Sequence, residues 1–171
     1  RLRSGQPLRR QAGCDLDEVL RAAAEAERPE AEARGVPIEL DAQGPPLSLT
    51  LDVPLVERAV ANLLRNAASV SPRGAPVRLR RAALGPDGRV RIEVADQGPG
   101  LPEALRADPF RAFDSAPVGA RGAGLGLGLA LSREVARAHG GDLVVLESSA
   151  AGTRFELSLP AAEARSEERR V

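Results

Sequence analysis

The chain contains no lysine: all 24 of its basic residues are arginine. That absence excludes two ways of holding a nucleotide. A P-loop needs the lysine of Gly-Lys-Ser/Thr on the β- and γ-phosphates, and a eukaryotic-type protein kinase needs a strand lysine. The dinucleotide pattern Gly-x-Gly-x-x-Gly is excluded as well, because Leu127 stands where the third glycine after Gly122 and Gly124 would fall. A single cysteine, Cys14, rules out an internal disulfide and fits a reducing compartment. No stretch approaches the ~20 apolar residues of a membrane span, and no leader-type pattern opens the chain. Neither sign of charge is in excess, with 24 acidic and 24 basic residues, which argues against a general binder of nucleic acid or another polyanion. Arg1 in place of Met marks an expected piece of a longer protein.

What is present suits one domain, since 171 residues can bury a substantial core. Residues 1–13 are basic and unpatterned and read as a linker. Asp15 to Arg34 reads as a helix that Asp15 or Asp17 can cap, with Pro29 inside it and Gly35 as its stop. Pro37–Asp41 and Leu47–Leu51 alternate apolar and polar residues around Gly44-Pro45-Pro46, the pattern of a hairpin. Asp52 caps a second helix that carries Pro54 in its first turn and runs to Val70. Strands follow at Val77–Leu84 and Arg89–Ala95, joined by Gly85-Pro86-Asp87-Gly88. Residues 98–124 form a long segment rich in Gly, Pro and Ala, a length that is usually functional. A third helix spans Leu125–Ala138, a last hairpin pairs Asp142–Glu147 with Thr153–Leu159, and residues 162–171 form a charged, frayed tail. These elements predict a two-layer α/β (α+β) sandwich with a mixed, mainly antiparallel sheet and helices on one face.

Four glycines, Gly122, Gly124, Gly126 and Gly128, alternate directly before the third helix. Glycine lets backbone N–H groups crowd around an anion, and a helix start adds unpaired donors and partial positive charge. The second helix sets Asn62 and Asn66 four residues apart on one face, opposite an apolar stripe of Leu55, Val56, Ala59, Val60, Leu63, Leu64 and Ala67. The pair reads either as a solvated polar face or as oxygen ligands for Mg²⁺ carried by a nucleotide. Strand Arg89–Ala95 runs into Asp96-Gln97-Gly98-Pro99-Gly100. That segment reads either as an ordinary turn or as a base pocket. In a pocket, the Asp96 acceptor takes the exocyclic amine of adenine and repels the carbonyl of guanine.

Taken together, five ordered segments resemble the ATPase domain of histidine kinases across about residues 14–160. Asn62-Leu63-Leu64-Arg65-Asn66-Ala67 resembles its N box and Asp96-Gln97-Gly98-Pro99-Gly100 its G1 box. Pro109-Phe110-Arg111-Ala112-Phe113 resembles the F box, Gly122-Ala123-Gly124-Leu125-Gly126-Leu127 the G2 box, and Ala151-Gly152-Thr153-Arg154-Phe155 the terminal Gly-Thr segment. The resemblance implies the Bergerat fold, shared with gyrase and mismatch-repair ATPases, and binding of Mg²⁺ and ATP. It implies that Asp96 holds the adenine amine, that Gly98 and Gly100 shape the base pocket, and that Thr153 supports the base through water. Asn66 would ligate Mg²⁺ with Asn62 beside the phosphates. Residues 98–124 would form a mobile lid, and Gly122, Gly124, Leu125, Gly126 and Leu127 would cradle the phosphates.

Three departures from the family pattern are informative. The basic residue common three positions after the second asparagine is Ser69, so Arg65, Arg73 or Arg121 would have to neutralise phosphate. Arg121 is the best placed in sequence. Hydrolytic relatives carry a glutamate where Asn62 stands, and an amide is a poor base, so ATP is expected to be held intact for transfer. The only histidine, His139, precedes Gly140-Gly141 at a helix end, where stabilising the helix terminus suits it better than accepting phosphate. The acceptor is therefore expected on upstream dimerising helices, with Phe110 and Phe113 either packing the lid or docking on those helices. A response regulator would be an indirect partner of a homodimeric full-length protein, the fragment itself being monomeric, with no nucleic-acid or membrane contact. A cytoplasmic location is expected, with the full-length protein free to be membrane-anchored. Two other outcomes stay open: a nucleotide-responsive interaction module without phosphotransfer, and an anti-sigma-type serine kinase of the same fold.

Overall fold

The computed structural model describes residues 7–111 and 125–161, with the backbone alone for 125–127. The strands are β1 (Gln11–Asp15), β2 (Ile38–Ala42), β3 (Ser48–Leu51), β4 (Val77–Arg81), β5 (Arg89–Ala95), β6 (Asp142–Ser149) and β7 (Gly152–Pro160). The helices are α1 (Leu16–Ala33), α2 (Val53–Val70), α3 (Glu103–Arg106) and α4 (Leu125–Ala138). Five strands form one sheet in the order β2-β4-β5-β7-β6. Only β2 and β4 run parallel; the other neighbours are antiparallel. Strict alternation decides which face is covered. Val77 and Leu79, Val90, Ile92 and Val94, and Phe155, Leu157 and Leu159 are buried beneath the helices. The opposite face carries the pairs Glu39–Arg78, Glu93–Arg154 and Arg91–Glu156 at 3.2–3.6 Å. Such solvated pairs contribute little stability, ~0–1 kcal/mol each.

The caps read from sequence form as expected. Asp15 accepts from Asp17 N–H at the start of α1, and Asp52 flanks α2, with Pro54 in the first turn. Helix α1 passes through Pro29, which leaves the Glu25 carbonyl without its intrahelical donor but does not stop the helix before Ala33.

Two expectations are corrected. Segments β2 and β3 do not pair with each other. Instead β2 lies parallel to β4, while β3 joins β1 in a separate antiparallel pair, with Cys14 opposite Leu49 and Asp15 opposite Ser48. Alternation identifies a strand and its faces but not its neighbour. Here Arg81, fully buried at the end of β4, holds the chain leaving β2: Nη1 donates to Gln43 O at 2.5 Å. The same guanidinium donates from Nε and Nη2 to both carboxylate oxygens of Asp17, at 2.7 and 3.0 Å. One buried ion pair thereby fastens the first turn of α1 to the sheet. The second correction is that residues 11–13, read as part of a linker, lie in β1. Strand β4 also ends at Arg81 rather than Leu84, and β6 continues to Ser149 rather than Glu147.

His139 joins the end of α4 to the start of α2. Its Nδ1–H donates to Val135 O (2.8 Å), and its Nε2 accepts from Asp52 N–H (3.0 Å). Nearby, Arg9 N–H donates to Asp52 Oδ2, and Arg10 Nη2 donates to Ala138 O. The expected helix-end role is thus met by a neutral ring bonded at both nitrogens, not by a cation. Burial, reinforced by Arg10, pushes the imidazole pKa below its ordinary 6.5 against the raising effects of Val135 O and Asp52. A lowered folded-state pKa means the unfolded chain binds this proton first. His139 therefore costs stability as pH falls from about 6.5 towards the lowered value, and no more below it. Because the chain has one histidine, its NMR resonance needs no mutational assignment. The titration midpoint is expected below 6.5, and a midpoint at or above 6.5 would contradict the neutral, doubly bonded ring.

Candidate functional site

Helix α2 sets the scale of the site. Asn62, Asn66 and Val70 succeed one another at four-residue intervals and so share one face, about 12 Å from first to last. That face is not the solvated surface that one reading of the asparagines required, because both are half-buried. Helix α4 covers their end of the row. A Cβ on Gly128 would lie 3.4 Å from Asn66 Nδ2 and 3.9 Å from Asn62 Cβ, so glycine lets the first turns of α4 settle onto the amides. Ser132 Oγ–H donates to Ala59 O (3.0 Å) and fixes that approach. Asn66 Nδ2 is buried without a partner among the described residues. Its Oδ1 takes no protein hydrogen bond among the described residues and is free to ligate a cation. The N–H groups at the start of α4 have no partner within the helix, as at any helix start, and lie at this same end.

The other end of the row meets the turn after β5. Gly98 sits against Val70, where an added Cβ would come within 2.8 Å of the Val70 carbonyl oxygen. Asp96 is buried there. Its Oδ1 accepts from Gly98 N–H (2.8 Å) and Thr153 N–H (3.2 Å), and its own N–H donates to Thr153 O (2.9 Å). Among the described residues Oδ2 takes no hydrogen bond. Burial raises the Asp96 pKa, and the two backbone N–H bonds oppose that rise. The contact between β5 and β7 at this point depends on Gly152. It holds φ at +140°, and a Cβ there would stand 2.1 Å from Asp96 O. Gly100 closes the turn against Ser149 of β6.

Sequence reasoning missed one polar group at this end. Ser148 Oγ accepts from Leu101 N–H (2.8 Å) and lies 3.0 Å from Thr153 Oγ1. Its only signal was a serine pair beyond the expected end of a strand.

Other expected residues lie elsewhere. Arg65 turns to α1, donating to buried Glu27 from Nε (3.2 Å) and Nη2 (2.7 Å), and this bond raises the guanidinium pKa. The expectation that Arg65 faces phosphate is corrected accordingly, since withdrawing it would leave a buried carboxylate unpaired. Phe110 is also turned inward: its ring packs edge-on against Phe155 (6.5 Å) under the Arg133 guanidinium (4.5 Å). It packs the fold itself, which is one of its two expected roles. Phe113, Arg121, Gly122 and Gly124 lie outside the described residues, as do the side chains of Leu125, Gly126 and Leu127. Among the described residues no group of three or more His, Cys, Asp or Glu could hold a metal ion by itself. No described helix is long and apolar enough to cross a membrane.

A buried acceptor, a row of two amides and a helix start define a class: a two-layer α/β sandwich with the chemistry to receive a nucleotide along one helix face. The chain belongs to the family of histidine kinase-, DNA gyrase B- and HSP90-like ATPases, which it matches over residues 51–163. It is 36% identical over 149 residues to the alginate biosynthesis sensor protein KinB of Pseudomonas aeruginosa, covering 87% of this chain and 24% of that protein. It is 41% identical over 107 residues to the histidine-protein kinase/phosphatase MprB of a Mycobacterium strain, covering 60% of this chain and 21% of that protein. The chain therefore spans about a quarter or less of these curated relatives. Among solved structures, full-length ShkA in complex with AMPPNP superposes with a TM-score of 0.78 at 30% identity, over 93% of this chain and 32% of that one. The mycobacterial sensor histidine kinase MprB superposes with a TM-score of 0.71 at 32% identity, over 90% and 98%.

Asp96→Asn tests the base end. The amide oxygen can keep both backbone bonds, but its nitrogen replaces the free acceptor with a donor. ATP affinity is expected to fall roughly 10- to 100-fold, as for loss of a hydrogen bond to a charged group. Stability at pH 7 should stay equal or rise, because the buried charge is gone. Unchanged ATP affinity by calorimetry would overturn the assignment.

Proposed function

We propose that this chain binds Mg²⁺ and ATP and presents the γ-phosphate to a histidine on a separate dimerisation domain, as the catalytic part of a two-component sensor histidine kinase. The observation that carries this reading is the single face of α2. It runs from Gly98 and Asp96 at one end to Asn66, Asn62 and the start of α4 at the other. Asp96 takes the adenine amine on Oδ2, Gly98 and Gly100 leave room for a flat base, and Thr153 stands beside Asp96. Asn66 offers Oδ1 to Mg²⁺ with Asn62 next to the phosphates. One protein ligand suits a Mg²⁺ that keeps waters and is carried in on phosphate, which fits the lack of a self-sufficient metal cluster among the described residues. When bound, the ion neutralises charge on the β- and γ-oxygens. The backbone of Gly122, Gly124, Leu125, Gly126 and Leu127 cradles the phosphates, and Arg121 supplies the charge that Arg65 does not.

Catalysis in this scheme is positioning and electrostatics. Asn62 takes up no proton near neutral pH, so it does not activate water. His139, buried with both ring nitrogens engaged, is no acceptor. The acceptor belongs on helices upstream of residue 1 in a homodimeric parent protein, with a response regulator as the indirect partner. One observation favours a second reading, a nucleotide-switched interaction module without transfer: Arg65 is tied to Glu27, and Ser69 carries no charge.

Joining the chain to the upstream helices of its parent protein and adding labelled ATP distinguishes these readings. Transfer to histidine gives acid-labile, base-stable phosphoprotein, with little phosphate released by the 171-residue chain alone. Acid-stable label would point to a serine kinase of the same fold. No label with ATP binding intact would leave the interaction module.

A further inference from the structure

Ser148 has no part in the site as assigned above, yet its hydroxyl connects three of the site's pieces. It accepts the N–H of Leu101 at the end of the Gly98–Gly100 turn. It lies 3.0 Å from the hydroxyl of Thr153, whose own N–H holds Asp96 Oδ1. Thr153 is buried and Ser148 is exposed.

A hydroxyl has one proton and two lone pairs. Oγ of Ser148 already spends a lone pair on Leu101 N–H, and accepting one hydrogen bond strengthens the hydroxyl as a donor in the next. The chain Leu101 N–H → Ser148 O–H → Thr153 Oγ1 is therefore the favoured direction when something beside Asp96 can accept the Thr153 proton. In that state an acceptor (Asp96 Oδ2) and a donor (Thr153 O–H) belong to two residues that the Thr153 N–H to Asp96 Oδ1 bond and the Asp96 N–H to Thr153 O bond hold together. The Watson–Crick edge of adenine has the matching order, an amine donor next to an acceptor nitrogen, N1. Guanine has it reversed, with O6 accepting and N1–H donating. Reversing the hydroxyl pair would leave Thr153 an acceptor and erase this second element of selection.

We infer that Ser148 is a specificity-determining positioning residue: anchored by Leu101 N–H, it donates to Thr153 and so turns the Thr153 hydroxyl into a donor for the N1 acceptor of adenine, directly or through one water. The inference rests on the nucleotide reading above and adds the residue that sets the polarity of its base end.

The test compares ATP with 1-deaza-ATP, which keeps the amine but replaces N1 with C–H, by calorimetry on the 171-residue chain, its Ser148→Ala variant and its Ser148→Thr variant. The wild type should bind ATP roughly tenfold more tightly than 1-deaza-ATP, the scale of one hydrogen bond. Ser148→Ala should lose most of that ratio through weaker ATP binding, with 1-deaza-ATP affinity nearly unchanged, and Ser148→Thr should restore it. A variant that weakens both nucleotides equally marks Ser148 as a mere anchor of the turn and overturns the inference. An unchanged ratio in Ser148→Ala, or no discrimination by the wild type, also overturns it while leaving the Asp96 reading standing. Only a wild type that binds neither nucleotide would remove that reading. Thermal unfolding of each variant distinguishes loss of fold from loss of selectivity.

Discussion

The site depends on the Asp96 carboxylate, caught on one oxygen by two backbone N–H groups, one from the turn after β5 and one from the neighbouring strand β7. A buried carboxylate is costly unless its lone pairs are met. Here Gly98 and Thr153 meet one oxygen, and the other is left with no described partner. Burial still raises the carboxyl pKa. Gly98 and Thr153 leave that second oxygen available, as the proposed adenine reading requires, and the geometry of the first has one strict requirement. Strand β7 must approach Asp96 O so closely that Gly152 can carry no Cβ.

The rest of the molecule holds Asp96 and the Asn62–Asn66 end of α2 in one frame. Helix α2 is the connecting rod, and it is held on both flanks. Towards α1, Arg65 grips buried Glu27; towards α4, Ser132 bonds the Ala59 carbonyl and Gly128 admits close contact. At the start of α2, neutral His139 ties the Asp52 N–H to the last turn of α4, and Arg9 and Arg10 bring the entering chain to the same junction. Arg9 and Arg10 thus touch the junction of the two helices α2 and α4. The Arg81–Asp17 pair serves the layer beneath, locking α1 to the sheet.

Much of this was legible in the sequence, and the limits have physical causes. The caps at Asp15 and Asp52 are local chemistry, and so are the i, i+4 asparagines and the carboxylate at the end of a strand. Each could be placed from neighbours within a few residues. Strand partnership is not local: β2 and β3 have the alternation of a hairpin, yet β2 pairs with β4 and β3 with β1. Arg65 read as a candidate for phosphate because its partner lies 38 residues away on another helix. The helix-end role of His139 was legible, but its second bond, to Asp52 N–H 87 residues away, was not. The Ser148-Ser149 pair was only a weak signal, because a serine acquires a role from what the fold sets beside it. Motif order carried the family where these long-range contacts could not be read.

In the proposed reading one face of α2 receives an adenine nucleotide and Asp96 reads the base. Calorimetric titration of the chain with ATP and with GTP in Mg²⁺ tests it most directly. The account predicts clear binding of ATP and GTP binding weaker by at least about tenfold, since the O6 of guanine would meet the Asp96 acceptor. Equal affinity for the two nucleotides would contradict it.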